Sequence, residues 1–316
     1  VSTRTNPRNF ALVILLWVAL LTVPLWIAPV GGYVDLASRV LVIGLAAMAT
    51  NLLVGHSGVM AFGHAAYFGL SAYATGLVIT HLVPSTPVGF LAGVVVGTAG
   101  GALVGYLLSK LRGIYFALAT IAFGQVFYFI AFRWNAVTGG DNGLTFQRLA
   151  IDLRFANIDL TSSVVYYYFV LAVFAVCAVL MAILLRSPFG HTLLAMRENE
   201  RRAKFLGIPV DRHMWIAYTV SCFFVAAAGA LYGMLNNFVS PHDLHWTQSG
   251  DFVLMAVMGG MRSFWGPLLG AAIFVIAQDS LSSITDNWMF YIGIIFVLVV
   301  LFMPRGIAGL MQGKTS

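Results

Sequence analysis

Ser163-Val-Val-Tyr-Tyr-Tyr-Phe-Val-Leu-Ala-Val-Phe-Ala-Val-Cys-Ala-Val-Leu-Met-Ala-Ile-Leu-Leu-Arg186 reaches its final guanidinium without a single earlier charge. At about 1.5 Å per residue, a helix of this length crosses a hydrocarbon layer of roughly 30 Å. Its polarity is continuous rather than alternating, which excludes the strand of a membrane barrel. Directly after it comes the densest charge in the chain. Between Arg186 and Arg212 lie the basic residues Arg186, Arg197, Arg201, Arg202, Lys204 and Arg212, with the acidic Glu198, Glu200 and Asp211. The same alternation of long apolar runs and short charged joints fills the whole chain, which is 60% hydrophobic and 9% charged. The sequence therefore predicts an all-α integral membrane protein, a polytopic helical bundle.

Working outward, spans are expected near 10–28, 36–54, 59–81, 88–109, 114–133, 163–186, 213–235, 267–285 and 289–303. Positive charge in short joints marks the cytoplasmic side. Arg4 and Arg8 lead the chain, Lys110 and Arg112 share one joint, the charged island fills 187–212, and Arg305 and Lys314 close the chain. Placing all four groups in the cytoplasm requires an even number of crossings, and nine spans break that parity. The stretch Asp251–Met261 resolves the conflict, either crossing as a short broken helix or re-entering from outside; it is too short for an ordinary span and ends in Gly259-Gly-Met-Arg262. Non-helical backbone at that depth is tolerated where protein buries it or a cavity lies beside it. The expectation is about ten membrane segments, one of them broken, with both termini cytoplasmic. External loops are expected at 134–162, which holds Thr138-Gly-Gly-Asp-Asn-Gly-Leu144, and at 236–249. The net charge of +6 resides mostly in the joints, so topology accounts for it and nucleic acid is not an expected partner. Phe10–Ala28 reads as a retained first helix rather than a cleaved leader. Cys177 and Cys222 fall inside spans and read as packing residues.

Within the island, Ala195–Ile208 reads as one short surface helix. Glu198 with Arg202 and Glu200 with Lys204 have the supporting i,i+4 order, and Gly207 and Pro209 supply the stop. Glycines 93, 97, 101 and 105 repeat a spacing that lets helix backbones approach closely. The most distinctive intramembrane text is Asn51-Leu-Leu-Val-Gly-His-Ser-Gly58 followed by Phe62-Gly-His-Ala-Ala-Tyr67. Its Gly55-His-Ser-Gly58 resembles the serine motif of intramembrane proteases, but such chemistry needs a histidine base beside the serine, and the later spans supply none at depth. The alternative is structural: Gly55, Gly58 and Gly63 interrupt the helix at a cytosolic turn, and His56 and His64 satisfy freed backbone groups. Glycine-interrupted segments point to a translocation path in transporters. Polar residues inside spans are costly and mark candidate sites. The candidates for the path are Asn51, His64, Thr120, Gln125 and Gln278, while Asp279 belongs near an outer span end. No phosphate loop, zinc ligand set or dinucleotide fingerprint is present. No catalytic or metal residues are expected, and any nucleotide must be bound by a partner.

Taken in order, these motifs resemble the LivM-like permeases of bacterial ABC importers for branched-chain amino acids. The matching text is Asn51–Tyr67, Leu111-Arg-Gly-Ile-Tyr-Phe116 with Ala122-Phe-Gly124, Thr138–Leu144, and Arg197–Ile208. It continues in Gly229-Ala-Leu-Tyr232, Met258-Gly-Gly-Met-Arg-Ser-Phe-Trp-Gly-Pro267 and Pro304-Arg-Gly306. The resemblance implies one transmembrane permease domain over 1–316 in the bacterial inner membrane, working by alternating access and performing no covalent chemistry. It implies that 187–212 holds a coupling helix for the ATPases, with Arg197, Glu198, Asn199, Glu200, Ala203 and Gly207 in the motif and Phe205 and Leu206 as apolar anchors. The implied partners are two cytosolic ATPase subunits holding ATP and Mg, a LivH-like second permease, a periplasmic solute-binding protein and the lipid bilayer. This chain itself is expected to bind no cofactor. Urea, short amides and aromatic acids are alternative substrates, and an ion-gradient-driven secondary transporter is the alternative of a different class.

Overall fold

A computed structural model describes residues 7–27, 29, 32–153, 156–303 and 306–311. Arg4, Ala28, Pro304, Arg305 and Lys314, which enter the topology and family readings, lie outside the described residues. The chain forms α1 (Pro7–Trp26), α2 (Val34–Asn51), a wider π turn (Leu52–Ser57), α3 (His64–Leu77), α4 (Thr86–Leu108), α5 (Gly113–Arg133) and the single turn α6 (Asn135–Thr138). It continues with α7 (Ser163–Arg186), α8 (Pro188–Glu198), α9 (Glu200–Phe205), α10 (Val210–Asn236), α11 (Trp246–Gly259), α12 (Gly266–Ser282), α13 (Trp288–Phe302) and α14 (Ile307–Met311). Among the described residues, five helical stretches are long and apolar enough to cross a membrane: Val34–Ser57, Thr86–Leu108, Gly113–Arg133, Ser163–Arg186 and Val210–Asn236. Leu15–Trp26, Gly266–Ser282 and Trp288–Val299 are shorter apolar helices. The chain is thus a multi-pass helical membrane protein.

Glycine decides how the centre packs. Lipid offers no hydrophobic contrast to pull helices together, so close backbone approach has to. On α4, a side-chain carbon at Gly97 would stand 2.9 Å from the Tyr67 carbonyl of α3, and one at Gly101 would stand 2.4 Å from Cys222 of α10. On α10 itself, a carbon at Gly229 would fall 2.0 Å from the Phe68 carbonyl. α3, α4 and α10 therefore form one close-packed unit, with α2 packed against α10 and α12. Cys177 and Cys222 are buried and free.

The two ends of the bundle differ. At one end β1 (Leu144–Thr145) pairs antiparallel with β4 (Phe238–Val239), joining the predicted external loops 134–162 and 236–249. β2 (Ile151–Leu153) pairs antiparallel with β3 (Ala156–Ile158) in a second two-stranded sheet. Arg148 staples this cap: its guanidinium lies 4.3 Å over the Tyr166 ring and donates to the Thr161 carbonyl at 3.2 Å. The other end carries α8 and α9. Here the expected single helix Ala195–Ile208 is two. Asn199 leaves the helical region (φ −158°, ψ 97°), and its side chain accepts the Arg202 N–H at 2.9 Å. An asparagine that caps a new helix start competes with continuing the old one. Glu198 and Arg202 consequently fall on different helices, and of the two expected pairs only Glu200–Lys204 forms, at 2.8 Å.

The predicted span 59–81 also begins differently. The π turn ends at Gly58 (φ +72°), and the chain through Gly63 has no helical structure before α3 starts at His64.

Gly229→Ala should lower stability by about 1–3 kcal/mol, because the Phe68 backbone cannot yield as a side chain would. Gly250→Ala, which meets nothing within 4 Å, should be neutral or slightly stabilising. Thermal unfolding of the two variants in detergent checks the contrast.

Candidate functional site

The non-helical stretch Gly58–Gly63 is the centre of the site. Such a stretch releases backbone donors, and each needs a partner if no water reaches it. Thr120 of α5 accepts the Phe62 N–H at 3.1 Å while its own hydroxyl donates to Ala117 O at 2.7 Å. Ser249 of α11 accepts the Ala65 N–H at 2.8 Å. Gly63 packs so tightly on α5 that a side-chain carbon would stand 2.6 Å from the Thr120 carbonyl. Two hydroxyls from two other helices thus hold the start of α3.

His64 opens α3 and is fully buried. Its Nε2 lies 2.9 Å from Ser221 Oγ, and the Ser221 hydroxyl donates to Ala49 O at 2.7 Å. With the serine proton committed to Ala49, the ring Nε2–H is the donor to Ser221. Ser221 lies about 16 Å along α10 from its first residue, at 1.5 Å per residue. The start of α3 is therefore deep in the bundle rather than at a surface turn. The Tyr218 ring stands 5.7 Å from His64, and its hydroxyl donates to Tyr67 Oη at 3.1 Å. His64 is in this structure a packed, hydrogen-bonded histidine.

Of the five path candidates, His64 and Thr120 meet at this knot. Gln125 follows one turn further along α5, half-buried, its Nε2 buried with no partner among the described residues. Asn51 is buried at the other end of the π turn and shares a small void with His56, Met181 and Phe264. Gln278 sits on α12 near Asp279, whose carboxylate accepts the Tyr33 hydroxyl at 2.8 Å. The structure does not bring Asn51 or Gln278 to the knot. The freed N–H groups are met by Thr120 and Ser249; of the two histidines expected to satisfy freed backbone groups, His64 places its Nδ1 3.4 Å from the Ala61 carbonyl, and His56 Nδ1 has no partner among the described residues. Ser221 escaped the sequence reading because a serine inside a span ordinarily bonds its own helix, and Ser249 because it was expected in the external loop 236–249, whereas it lies buried on α11. Ser57 does bond its own helix, to Leu53 O at 2.7 Å, and nothing in the sequence separates it from Ser221.

The α8–α9 end is a charged collar. Arg112, in the joint between α4 and α5, donates through Nε to Glu200 at 2.9 Å and also pairs with Asp211. Burial pushes the Glu200 carboxyl up, but hydrogen bonds from Lys204 and Arg112, with their charges, outweigh it and hold the group below its ordinary value. Glu200 is thus engaged within the chain, while Glu198, Arg201 and Arg202 face outward. Ala203 is buried against the bundle. At the tip Phe205 is 90% exposed and Leu206 75% exposed, before Gly207 turns the chain at φ +81°. Arg197 reaches back from α8 and donates to the Gly55 carbonyl in the π turn. The stem of the same arginine covers Gly58.

A multi-pass helical bundle with a broken segment at its centre and an exposed amphipathic collar at one end is the frame of a membrane permease. Residues 32–302 match the family described as branched-chain amino acid transport system, permease component, and the chain belongs to that family. It is 28% identical over 301 residues to the high-affinity branched-chain amino acid transport system permease protein LivM of Salmonella typhimurium, covering 87% of this chain and 70% of that protein. A probable branched-chain amino acid transport permease protein LivM of Methanocaldococcus jannaschii is 22% identical over 327 residues, covering 87% and 93%. The high-affinity branched-chain amino acid transport system permease protein LivH of Escherichia coli is 29% identical over 125 residues, covering 39% and 40%. No solved structure matches the chain.

Ser249→Ala should cost about 1–3 kcal/mol, because it leaves the Ala65 N–H buried without a partner. Ser249→Thr, which keeps the acceptor oxygen, should recover most of that loss. Paired unfolding curves decide it, and equal stability of Ser249→Ala and the parent would remove Ser249 from the knot.

Proposed function

We propose that this chain is a permease subunit of an ATP-driven importer for branched-chain or other hydrophobic amino acids. It crosses the bacterial inner membrane with ten segments: α1, α2, α3, α4, α5, α7, α10, α11, α12 and α13. The α8–α9 collar and both chain ends face the cytoplasm, and the β-strand cap faces the periplasm. A LivH-like permease completes the translocation path, in line with the two kinds of permease among the relatives. A solute-binding protein delivers substrate over loops 134–162 and 236–249. Two ATPase subunits, which hold ATP and Mg, drive the cycle.

The observation that carries this reading is the pair Phe205 and Leu206, apolar and almost fully exposed at the tip of a tethered helix. Exposed aromatic and aliphatic anchors on a rigid element are what a protein groove grips. Glu198, Arg201 and Arg202 supply the charged rim, while Glu200 serves the tether to Arg112 rather than the interface. Arg197 then links the collar to the broken segment. Motion of α8 pulls on the Gly55 carbonyl and on Gly58, and so reaches the stretch held by Thr120 and Ser249.

Phe205→Ala with Leu206→Ala should weaken ATPase association by about 2 kcal/mol or more, roughly thirtyfold. The unfolding temperature of the permease should not change, since neither side chain is buried. Co-purification with the ATPases and uptake in vesicles measure both. Normal assembly and uptake in the double variant would refute the docking role.

A further inference from the structure

Between α1, α7 and the turn that joins α11 to α12 lies a cavity of about 430 Å³. Its floor is apolar, from Val179 and its neighbours on α7, and one wall is the Trp17–Trp265 pair, whose rings meet edge to face at 6.0 Å. Two guanidinium groups stand at it: Arg186, the last residue of α7, and Arg262, in the α11–α12 turn. His56 completes the lining from the π turn. Both arginines are exposed, and neither forms an ion pair with a described residue. Like charges gathered at one cavity repel unless an anion lies between them.

The position narrows what that anion is. α7 is a membrane-crossing stretch and Arg186 is its final residue, so the cavity sits at the boundary between hydrocarbon and water. Val176, Val179 and Ile183 on the same helix are exposed, as residues facing acyl chains are. Tryptophans belong at this boundary, with an apolar body and a polar edge. An apolar floor continuous with the lipid-facing surface, beside two arginines whose guanidinium groups suit a phosphodiester, fits a phospholipid and not a free ion. Basic pockets of this kind between membrane helices hold anionic headgroups.

We propose that Arg186 and Arg262 bind the headgroup of an anionic phospholipid from the leaflet on the α8–α9 side, with an acyl chain laid along α7. The site adjoins the joint between α7 and α8, so the lipid would brace the helix that presents the collar.

The full chain, purified in mild detergent, is titrated with phosphatidylglycerol, with phosphatidylcholine of the same acyl chains, and with inorganic phosphate. Bound lipid is counted by native mass spectrometry. Phosphatidylglycerol should bind about tenfold better than phosphatidylcholine, and Arg186→Gln with Arg262→Gln should erase that preference. Arg186→Lys with Arg262→Lys should retain it. Equal binding of the two lipids, an undiminished preference in the glutamine variant, or displacement of the lipid by inorganic phosphate would each overturn the proposal. A measurement on the unaltered arginines guards against misfolding of the charge variants. Phosphatidylglycerol brominated on its acyl chains should quench tryptophan fluorescence more than brominated phosphatidylcholine, and Trp17→Phe with Trp265→Phe should remove the excess. Equal quenching by the two lipids would contradict the site.

Discussion

Backbone donors released inside a bilayer have no water to turn to, and that constraint organises this protein. The chain leaves helical geometry from Gly58 to Gly63, and two hydroxyls from α5 and α11 take up the Phe62 and Ala65 N–H groups. Around that point α3, α4 and α10 are held at a separation only glycine permits. The break is therefore stable without being rigidly filled: on its outward side Met60 is 53% exposed, while His64 behind it is fully buried.

The collar and the break are physically connected. Arg112 fixes α9 to the α4–α5 joint through Glu200 and fixes the start of α10 through Asp211, so one guanidinium links three elements of that end. Arg197 then joins α8 to the π turn immediately before the break. The stem of Arg197 also covers Gly58, where the non-helical stretch begins. At the far end, the β1–β4 pair and Arg148 tie the two loops over the opposite mouth into a single cap.

Much of this was legible in the residues themselves. Apolar runs such as 163–186 announce their helices, and the glycines at 93, 97, 101 and 105 announce the face on which α4 packs. Gly55, Gly58 and Gly63 mark the interruption. What they do not carry is its depth, because the bonds that set it come from Ser221, Ser249 and Thr120 on distant helices: a serine in a span such as Ser221 looks the same whether it bonds its own helix or another, and Ser249 reads as part of a loop that the structure instead makes the start of α11. The helix expected over Ala195–Ile208 failed at Asn199 for a local reason, a cap outcompeting an ion pair that needed uninterrupted helix. The β1–β4 pairing was invisible, since strands of two residues leave no periodicity. Asn51 and Gln278 share with His64 only the property of being polar in apolar surroundings, and that property does not determine where they lie.

The claim on which the account turns is that Arg197 transmits collar motion to the broken segment. Arg197→Met keeps the stem that covers Gly58 and removes the donor to Gly55, so it tests the link with little change in packing. The measurement is substrate transported per ATP hydrolysed, in vesicles containing the permease, its partner permease, both ATPases and the binding protein. The account predicts that the variant complex assembles and hydrolyses ATP while transport per ATP falls steeply. An unchanged ratio of transport to hydrolysis would contradict it.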